Sequence, residues 1–471
     1  MATVTITIRT IPTTFVVSSF FNKNAVGLAL IVEYIMVQSD FFEDAKEQLS
    51  GQIALEDIFQ AYYDCRKNKR RTINSLAFEL NFEEELIRLW REINSGKYKV
   101  GRSIAFIVKK PVQREVFAAD FRDRIVHHLL INKLNALFEH EFINNSFSCR
   151  QGRGTLYGVK SIDAAIRACS DGYSVDCYIL KLDIRSFFMS INKNILYQML
   201  HVFISEKYRK PDLPIVLRLI RQVIFYNPDE HCVIKGRRAD WNGLPCHKSL
   251  FWASHSCGLP IGNLTSQIFA NFYLNRLDKF VTEELGFEYY GRYVDDFVLV
   301  HKDKKVLLEA RKKIDLFLLE KLKLKLHPQK FYLQHYHKGV RFIGAVIKPN
   351  RIYIGNRAKN NLYQKIYAWL PQMAQNISQT LKYLQNFSSC INSYFGLMRN
   401  YNTYNLRSKI LKLLDSSFLG EVSVFKPHAD KFALDKRFCP PAQKQRQLRR
   451  QRKYRRKQHK KWFEGDKNGN V

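Results

Sequence analysis

Two adjacent carboxylates sit inside the segment Tyr293-Val294-Asp295-Asp296, between the short apolar runs 287–290 and 297–300. β-Rich runs joined by so short a link read as a hairpin. Paired acids at its tip gain nothing from folding unless a cation meets them; the alternative is an ordinary surface turn, since aspartate tolerates left-handed backbone. A third acid ends another apolar run. Tyr178-Ile179-Leu180-Lys181-Leu182-Asp183 reads as a buried strand whose last carboxylate either caps the strand or faces the same edge as the hairpin pair. Three acids brought to one edge would hold two Mg²⁺ ions about 4 Å apart, an arrangement that activates a 3′-hydroxyl and stabilises a leaving pyrophosphate during in-line displacement.

The elements that must position these acids follow from periodicity. Residues 40–94 read as helical, with Leu76, Leu80, Phe82, Leu86, Leu89 and Trp90 on one stripe and Glu83, Glu84 and Glu85 on the wet face. Residues 98–109 turn towards strand, with Ile104, Phe106 and Val108 alternating, and 122–142 form an amphipathic helix that buries Ile125, Leu129, Leu130, Leu134, Leu137 and Phe138. Residues 211–258 read as a helix followed by a long loop. Residues 258–267 place Gly and Pro before a helix running to about Phe280, with Asn263 or Thr265 as its N-cap and Ala270, Leu274, Leu277 and Val281 buried. A glycine loop at a helix N-terminus allows close backbone approach to a base pair or phosphate; the plainer reading is a turn into a core helix. After Gly355 the chain reads as helical to Leu419.

Composition points to the partner. A formal net charge of +33 over 471 residues favours a polyanion, because neutralising phosphates releases condensed counterions. Residues 444–461 carry 11 Lys or Arg and no acid. Such a segment self-repels and forms no core, so it is expected to be disordered until it meets an anion. It is either a solvated tail or, with Tyr454 and Trp462 available for stacking, an RNA-contacting one that uses Arg455 and Arg456. The nine cysteines lack CxxC spacing, which fits a reducing compartment. His231, Cys232, Cys246, His247, His255 and Cys257 crowd one loop but match no compact zinc module, and Trp241, Leu244, Leu250, Phe251 and Trp252 there read as packing residues. No stretch is long enough to cross a membrane. Residues 1–35 read as a leader, disordered or upstream of a true start near Met36.

The order of segments resembles the conserved blocks of reverse transcriptases. The matching residues are 114–130, then Phe147-Ser148-Cys149-Arg150-Gln151-Gly152-Arg153-Gly154, the Asp183 strand, Gly258-Leu259-Pro260-Ile261-Gly262-Asn263-Leu264-Thr265-Ser266-Gln267, the 293–296 hairpin, a basic segment ending at Lys330, and Val340-Arg341-Phe342-Ile343-Gly344. The resemblance implies an α+β right-hand polymerase fold: a helical region over 36–97, fingers over 98–175, palm over 176–350, a helical thumb over 357–420 and a basic tail over 421–471. It implies RNA-templated addition of dNTPs to a primer, giving cDNA. Asp183, Asp295 and Asp296 would be the catalytic acids and, with Ile184, would bind Mg²⁺ or Mn²⁺.

By the same resemblance, Arg114 and Lys109 would meet the triphosphate, for which a guanidinium fork is suited; the plain alternative is solvated charge on a hairpin. Phe188 would stand against the sugar and disfavour a 2′-hydroxyl, or be core beside Phe187. Ile261, Gly262 and Gln267 would line the nascent pair, and Lys330, with Lys321, Lys323 and Lys325 as rivals, would neutralise pyrophosphate. Arg150, Arg153, Phe342 and Gly344 would contact template or primer.

Ile-Gly-Asn-Leu-Thr-Ser-Gln departs from the Gln-Gly-x-x-x-Ser-Pro of retroviral and group II intron enzymes. It looks like the reverse transcriptases of diversity-generating retroelements, bacterial and phage systems that copy a template RNA with errors at adenines. An amide at 261 could hydrogen-bond the nucleotide or template strand and a branched aliphatic cannot, so discrimination would fall. A small basic accessory protein, a structured template RNA and a cytoplasmic location would follow. About 50 residues beyond the thumb are too few for RNase H, an integrase or a His-Asn-His nuclease. The competing readings are a group II intron-like maturase and a non-catalytic RNA-binding scaffold.

Overall fold

The computed structural model describes residues 5–10, 13–18, 51–67, 73–110, 112–375, 380–415, 423–425 and 432–434. Within the expected leader, strands β1 (Thr5–Thr10) and β2 (Thr13–Ser18) pair as an antiparallel hairpin, in keeping with their Thr, Ile and Val content. Arg455 and Arg456 lie outside the described residues.

Helices α1 (Leu55–Arg66), α2 (Ile73–Glu79) and α3 (Phe82–Asn94) precede the site. The stripe expected over 76–90 is broken between α2 and α3, so Leu86 and Leu89 are buried while Leu76 and Leu80 face solvent. Two short helices need not share a face, and a period carried across their junction assigns the wrong side. Glu83, Glu84 and Glu85 occupy the first turn of α3, where they complement the helix dipole. Strands β3 (Ile104–Val108) and β4 (Arg114–Ala118) form a hairpin. The face of β3 is the reverse of the expected one: Ala105 is buried against Phe117 and Leu250, and Val108 is exposed. Helix α4 (Phe121–Glu141) is capped by the Asp120 carboxylate, which accepts from Arg122 N at 3.0 Å, and buries Ile125, Leu129, Leu130, Leu134 and Phe138 against α1 and the later helix over Leu264–Lys279.

Helix α5 (Thr155–Cys169) leads into strand β5 (Tyr178–Asp183). The chain then forms α6 (Phe187–Ser190), α7 (Lys193–Lys207) and α8 (Leu213–Phe225), followed by a loop in which β6 (Val233–Ile234) pairs parallel to β3. Helix α9 (Leu264–Lys279) buries Ala270, Leu274 and Leu277, and Val281 is buried just beyond it. Strands β7 (Tyr290–Tyr293) and β8 (Asp296–His301), helix α10 (Lys304–Leu322) and strand β9 (Tyr332–His335) complete a four-stranded sheet in the order β7-β8-β5-β9.

Period-2 alternation divides that sheet between two cores. Ile179, Val298 and Val300 pack with Val159 and Ile162 of α5, while Leu180, Leu182, Phe297 and Leu299 pack with α9 and α10. With both faces covered, the runs read as continuously apolar. Strands β10 (Val340–Phe342), β11 (Ala345–Lys348) and β12 (Arg351–Ile354) make a small antiparallel sheet beside the first core. Helices α11 (Asn356–Gln375), α12 (Thr380–Met398) and α13 (Tyr404–Asp415) follow, with a separate core that includes Leu362, Ile366, Phe387 and Ile410. Among the described residues no helix is long and apolar enough to cross a membrane.

Candidate active site

Register brings the acids together. β5 and β8 pair antiparallel with Asp183 opposite Asp296, and Tyr293 opposite Asp296 closes the β7–β8 hairpin around a two-residue turn, Val294-Asp295. The left-handed residue of that turn is Val294 (φ 57°), not an aspartate as the sequence suggested. Positive φ at the first central position is normally given to glycine, and a β-branched residue there costs roughly 1–3 kcal/mol. Two contacts hold the strained turn. Arg292 Nη1 donates to the Val294 carbonyl at 2.9 Å, and Ile184 N donates to the Asp295 carbonyl at 3.2 Å.

Arg292 is itself wholly buried and pairs with the equally buried Asp278 of α9 through Nε–Oδ1 at 2.6 Å and Nη2–Oδ2 at 2.5 Å. Tyr290 Oη donates to the same carboxylate at 2.7 Å, and Arg292 also reaches Asn271 Oδ1 at 3.1 Å and Ser146 Oγ at 3.1 Å. A buried guanidinium with this many acceptors is satisfied, and removal of either ionic partner would strand a charge. The sequence reading missed this network; its signal was an Arg flanked by Tyr and Gly in an apolar strand.

The front of the hairpin is electrostatically unsettled. Burial first, and then the neighbouring Asp183, push the Asp295 carboxyl up to about 6, with Asp296 adding to the rise and Lys330 opposing it. Burial also raises Asp296, offset by Lys181, whose Nζ lies 2.9 Å from its Oδ1. Lys330 Nζ bridges both oxygens of Asp183 at 2.9 and 2.8 Å. Among the described residues no three His, Cys, Asp or Glu side chains form a ready metal cage, which applies equally to the His/Cys-rich loop. The acids nevertheless fit divalent cations: their mutual repulsion is what a cation relieves, and the Lys330 ammonium already stands in for one. Asp183, Asp295 and Asp296 would hold the metal, which supplies Lewis-acid stabilisation of charge on transferring phosphoryl oxygens.

A cavity of about 790 Å³ opens beside the acids. Its lining includes Arg114, Ile184, Phe188, Ile261, Lys330, Phe342 and Gly344, although Phe342 is mostly core at 1% exposure. The 258–263 loop is stitched to both walls: Phe117 N donates to the Ile261 carbonyl at 2.9 Å, Leu259 N to the Phe188 carbonyl at 2.8 Å, and Ala119 N to Asn263 Oδ1 at 3.1 Å. Asn263 is therefore the N-cap residue of α9 by position, with its side chain serving Ala119, just past β4, instead. Gly262 sits at φ 124°, where a Cβ would come within 2.8 Å of Val116, so only glycine lets the loop lie against β4. At the β10–β11 turn Gly344 is at φ 80°.

Other expected contacts lie elsewhere. Lys109 pairs with Asp240 at 2.8 Å, outside the cavity lining. Arg150 is turned inwards: its side chain is 4% exposed and binds Glu139 at 2.9 Å and the carbonyls of Ile143 and Ser146 at 2.6 and 3.0 Å, so it holds a loop together and is not free to meet template. Arg153 lies 4.4 Å over the Tyr157 ring and donates to Asn144. Gln267 is exposed on α9, accepting from Cys149 Sγ at 3.3 Å, and is absent from the cavity lining.

Acids gathered at a strained hairpin, a glycine loop pressed against a neighbouring strand and a deep cavity between them define the class of template-directed nucleic-acid polymerases. Residues 108–347 match the family of reverse transcriptases (RNA-dependent DNA polymerases), and the chain belongs to that family. It is 22% identical over 344 residues to Protein YkfC of Escherichia coli (strain K12), covering 66% of this chain and 81% of that protein. It is 26% identical over 228 residues to nuclear intron maturase 4, mitochondrial, of Arabidopsis thaliana, which covers 48% of this chain and 24% of the maturase. Solved structures of apo telomerase from Candida tropicalis are also similar, one at 12% identity and TM-score 0.40 over 71% of this chain and 66% of that one, the other, truncated, at 14% and 0.39 over 54% and 55%. The chain thus spans about a quarter of the maturase and between half and two thirds of the telomerase chains.

Proposed function

We propose that this chain copies a template RNA into cDNA, using Asp183, Asp295 and Asp296 with two Mg²⁺ ions, as the error-prone polymerase of a diversity-generating retroelement. The observation that carries the reading is the placement of Ile261 in the lining of the catalytic cavity, on a loop bonded to β4 and α6. A branched aliphatic there offers no hydrogen bond by which a mispair would be rejected. Arg114 and Lys330 meet triphosphate and pyrophosphate, and Phe188 stands where a 2′-hydroxyl would be excluded. Residues 98–175 serve as fingers, 176–350 as palm and 357–420 as thumb. A small basic accessory protein and a structured RNA complete the system.

The test is to sequence cDNA made by the purified chain from an RNA of even base composition. Substitutions concentrated at template adenines, reduced several-fold in Ile261→Gln, are expected; errors spread evenly over the four bases contradict the retroelement reading. The similarity to an intron maturase favours a second reading, RNA splicing assistance. Splicing of an intron flanking the gene, stimulated by the chain, would decide for it.

A further inference from the structure

Next to the catalytic cavity lies a second one of about 340 Å³, and the two share Ser186, Met189 and His247 in their linings. Its other walls bring together Arg185, Lys323, Lys325 and Trp252, with no carboxylate among them. The cations come from two adjoining segments, one just past β5 and one just past α10: Arg185 N donates to the Lys325 carbonyl at 2.9 Å, and Ile184 forms an isolated bridge with Leu326. Lys323 is fixed two residues earlier by a left-handed turn at φ 54°. Lysines 109, 181 and 330 each meet an aspartate at 2.8 to 2.9 Å, whereas Arg185, Lys323 and Lys325 have no carboxylate partner among the described residues. Three unneutralised cations around one concavity call for an anion.

Trp252 supplies the second half of the argument. It is 73% exposed, against the expectation that it packs. The loop carrying it is pinned: buried Glu115 accepts from Trp241 Nε1 at 2.6 Å, Ser249 Oγ at 2.7 Å and Leu250 N at 2.6 Å, and Gln113 donates to the Asp240 and Asn242 carbonyls. An indole held out to water on a fixed loop, beside phosphate-seeking cations, has the make-up of a base-stacking platform. At the junction of the cavities the Ser186 hydroxyl is buried with no hydrogen-bond partner among the described residues, on a residue at φ 50°.

We propose that the second cavity is a binding site for one nucleotide unit of a single polynucleotide strand, with its base on Trp252 and neighbouring phosphates at Arg185, Lys323 and Lys325. The inference rests on the polymerase reading for the source of the strand. A strand suits the site better than a free triphosphate because the cavity adjoins the catalytic one through Ser186, Met189 and His247, so a chain held in one can reach the other.

The full chain is titrated with fluorescent dT12 and rU12 at low and high salt, following anisotropy without catalysis. Trp252→Ala is expected to weaken both by about tenfold, with Trp252→Phe restoring most of the loss. The triple variant Arg185→Gln, Lys323→Gln, Lys325→Gln is expected to flatten the slope of log affinity against log salt by about 2, or ~0.7 for each phosphate contact on a single strand. The dNTP KM in primer extension should not move. Unchanged strand affinity and salt slope in both variants overturn the proposal. A raised dNTP KM with unchanged strand affinity also overturns it, assigning the cavity to incoming nucleotide or departing pyrophosphate. A chain that binds strands through Trp252 but extends no primer would sink the polymerase reading and leave this site standing.

Discussion

Two charged clusters lie on opposite sides of the 293–296 hairpin, and they are built to different ends. Behind it, Arg292 and Asp278 are wholly buried, doubly bonded and surrounded by Tyr290, Asn271 and Ser146. In front, three carboxylates crowd together, and two of them are held by the more exposed lysines 330 and 181. The rear cluster has no unmet demand and so fixes geometry. The front one keeps its acids in a state that a divalent cation would improve. Rigidity is placed where the turn is strained, at Val294, and exchangeable charge where chemistry is expected.

Mutations should separate the two. Arg292→Ala leaves Asp278 buried and unpaired and is expected to cost about 3–5 kcal/mol of stability, read as a lower midpoint in chemical denaturation. A change below about 1 kcal/mol would mean that the rear cluster is not a staple. Asp295→Asn, in contrast, relieves repulsion, so the thermal midpoint should hold or rise while extension falls about a thousandfold, which is several kcal/mol of lost charge stabilisation at the transition state. Loss of folding in Asp295→Asn would erase the distinction between front and back.

Acidity sharpens the contrast. The Asp295 value of about 6 lies above the ordinary 3.8, so without metal its contribution to stability is present at low pH and is lost as pH rises through about 6. Activity should run the other way, because only the carboxylate binds a cation: kcat/KM falls as pH drops through about 6, and raising Mg²⁺ moves that limb lower. A limb that ignores Mg²⁺ would point to another group. The smallest effect is expected at Lys330→Gln, where the rival cation on a half-exposed side chain is removed. Mn²⁺ affinity, measured calorimetrically, should tighten by only about two- to fivefold.

Much of the front was legible in the sequence because it depends on local pattern. An apolar run ending in Asp183 and a pair of short runs around Asp295 and Asp296 suffice to predict strands and a hairpin, and the buried stripe of α9 follows from its period. The rear was not legible, since Arg292 meets Asp278, Asn271 and Ser146 at separations of 14, 21 and 146 residues, and no local period encodes such pairings. Arg150 looked available for template and is consumed by Glu139 and two carbonyls only 4 to 11 residues away, because the loop folds back on its own helix end, a path no period encodes. The inward face of β3 was set by Phe117 and Leu250, and the exposure of Trp252 by the grip of Glu115 on its loop. Each is a tertiary decision that composition does not carry.

Extension of a DNA primer on an RNA template, with Mg²⁺ supplied and then chelated, tests the central claim most directly. Wild-type chain should add deoxynucleotides only while Mg²⁺ is present, and Asp183→Asn, Asp295→Asn and Asp296→Asn should each lose that activity while remaining folded. Undiminished extension by the Asp295→Asn variant, or none from wild type under any divalent cation, would contradict it.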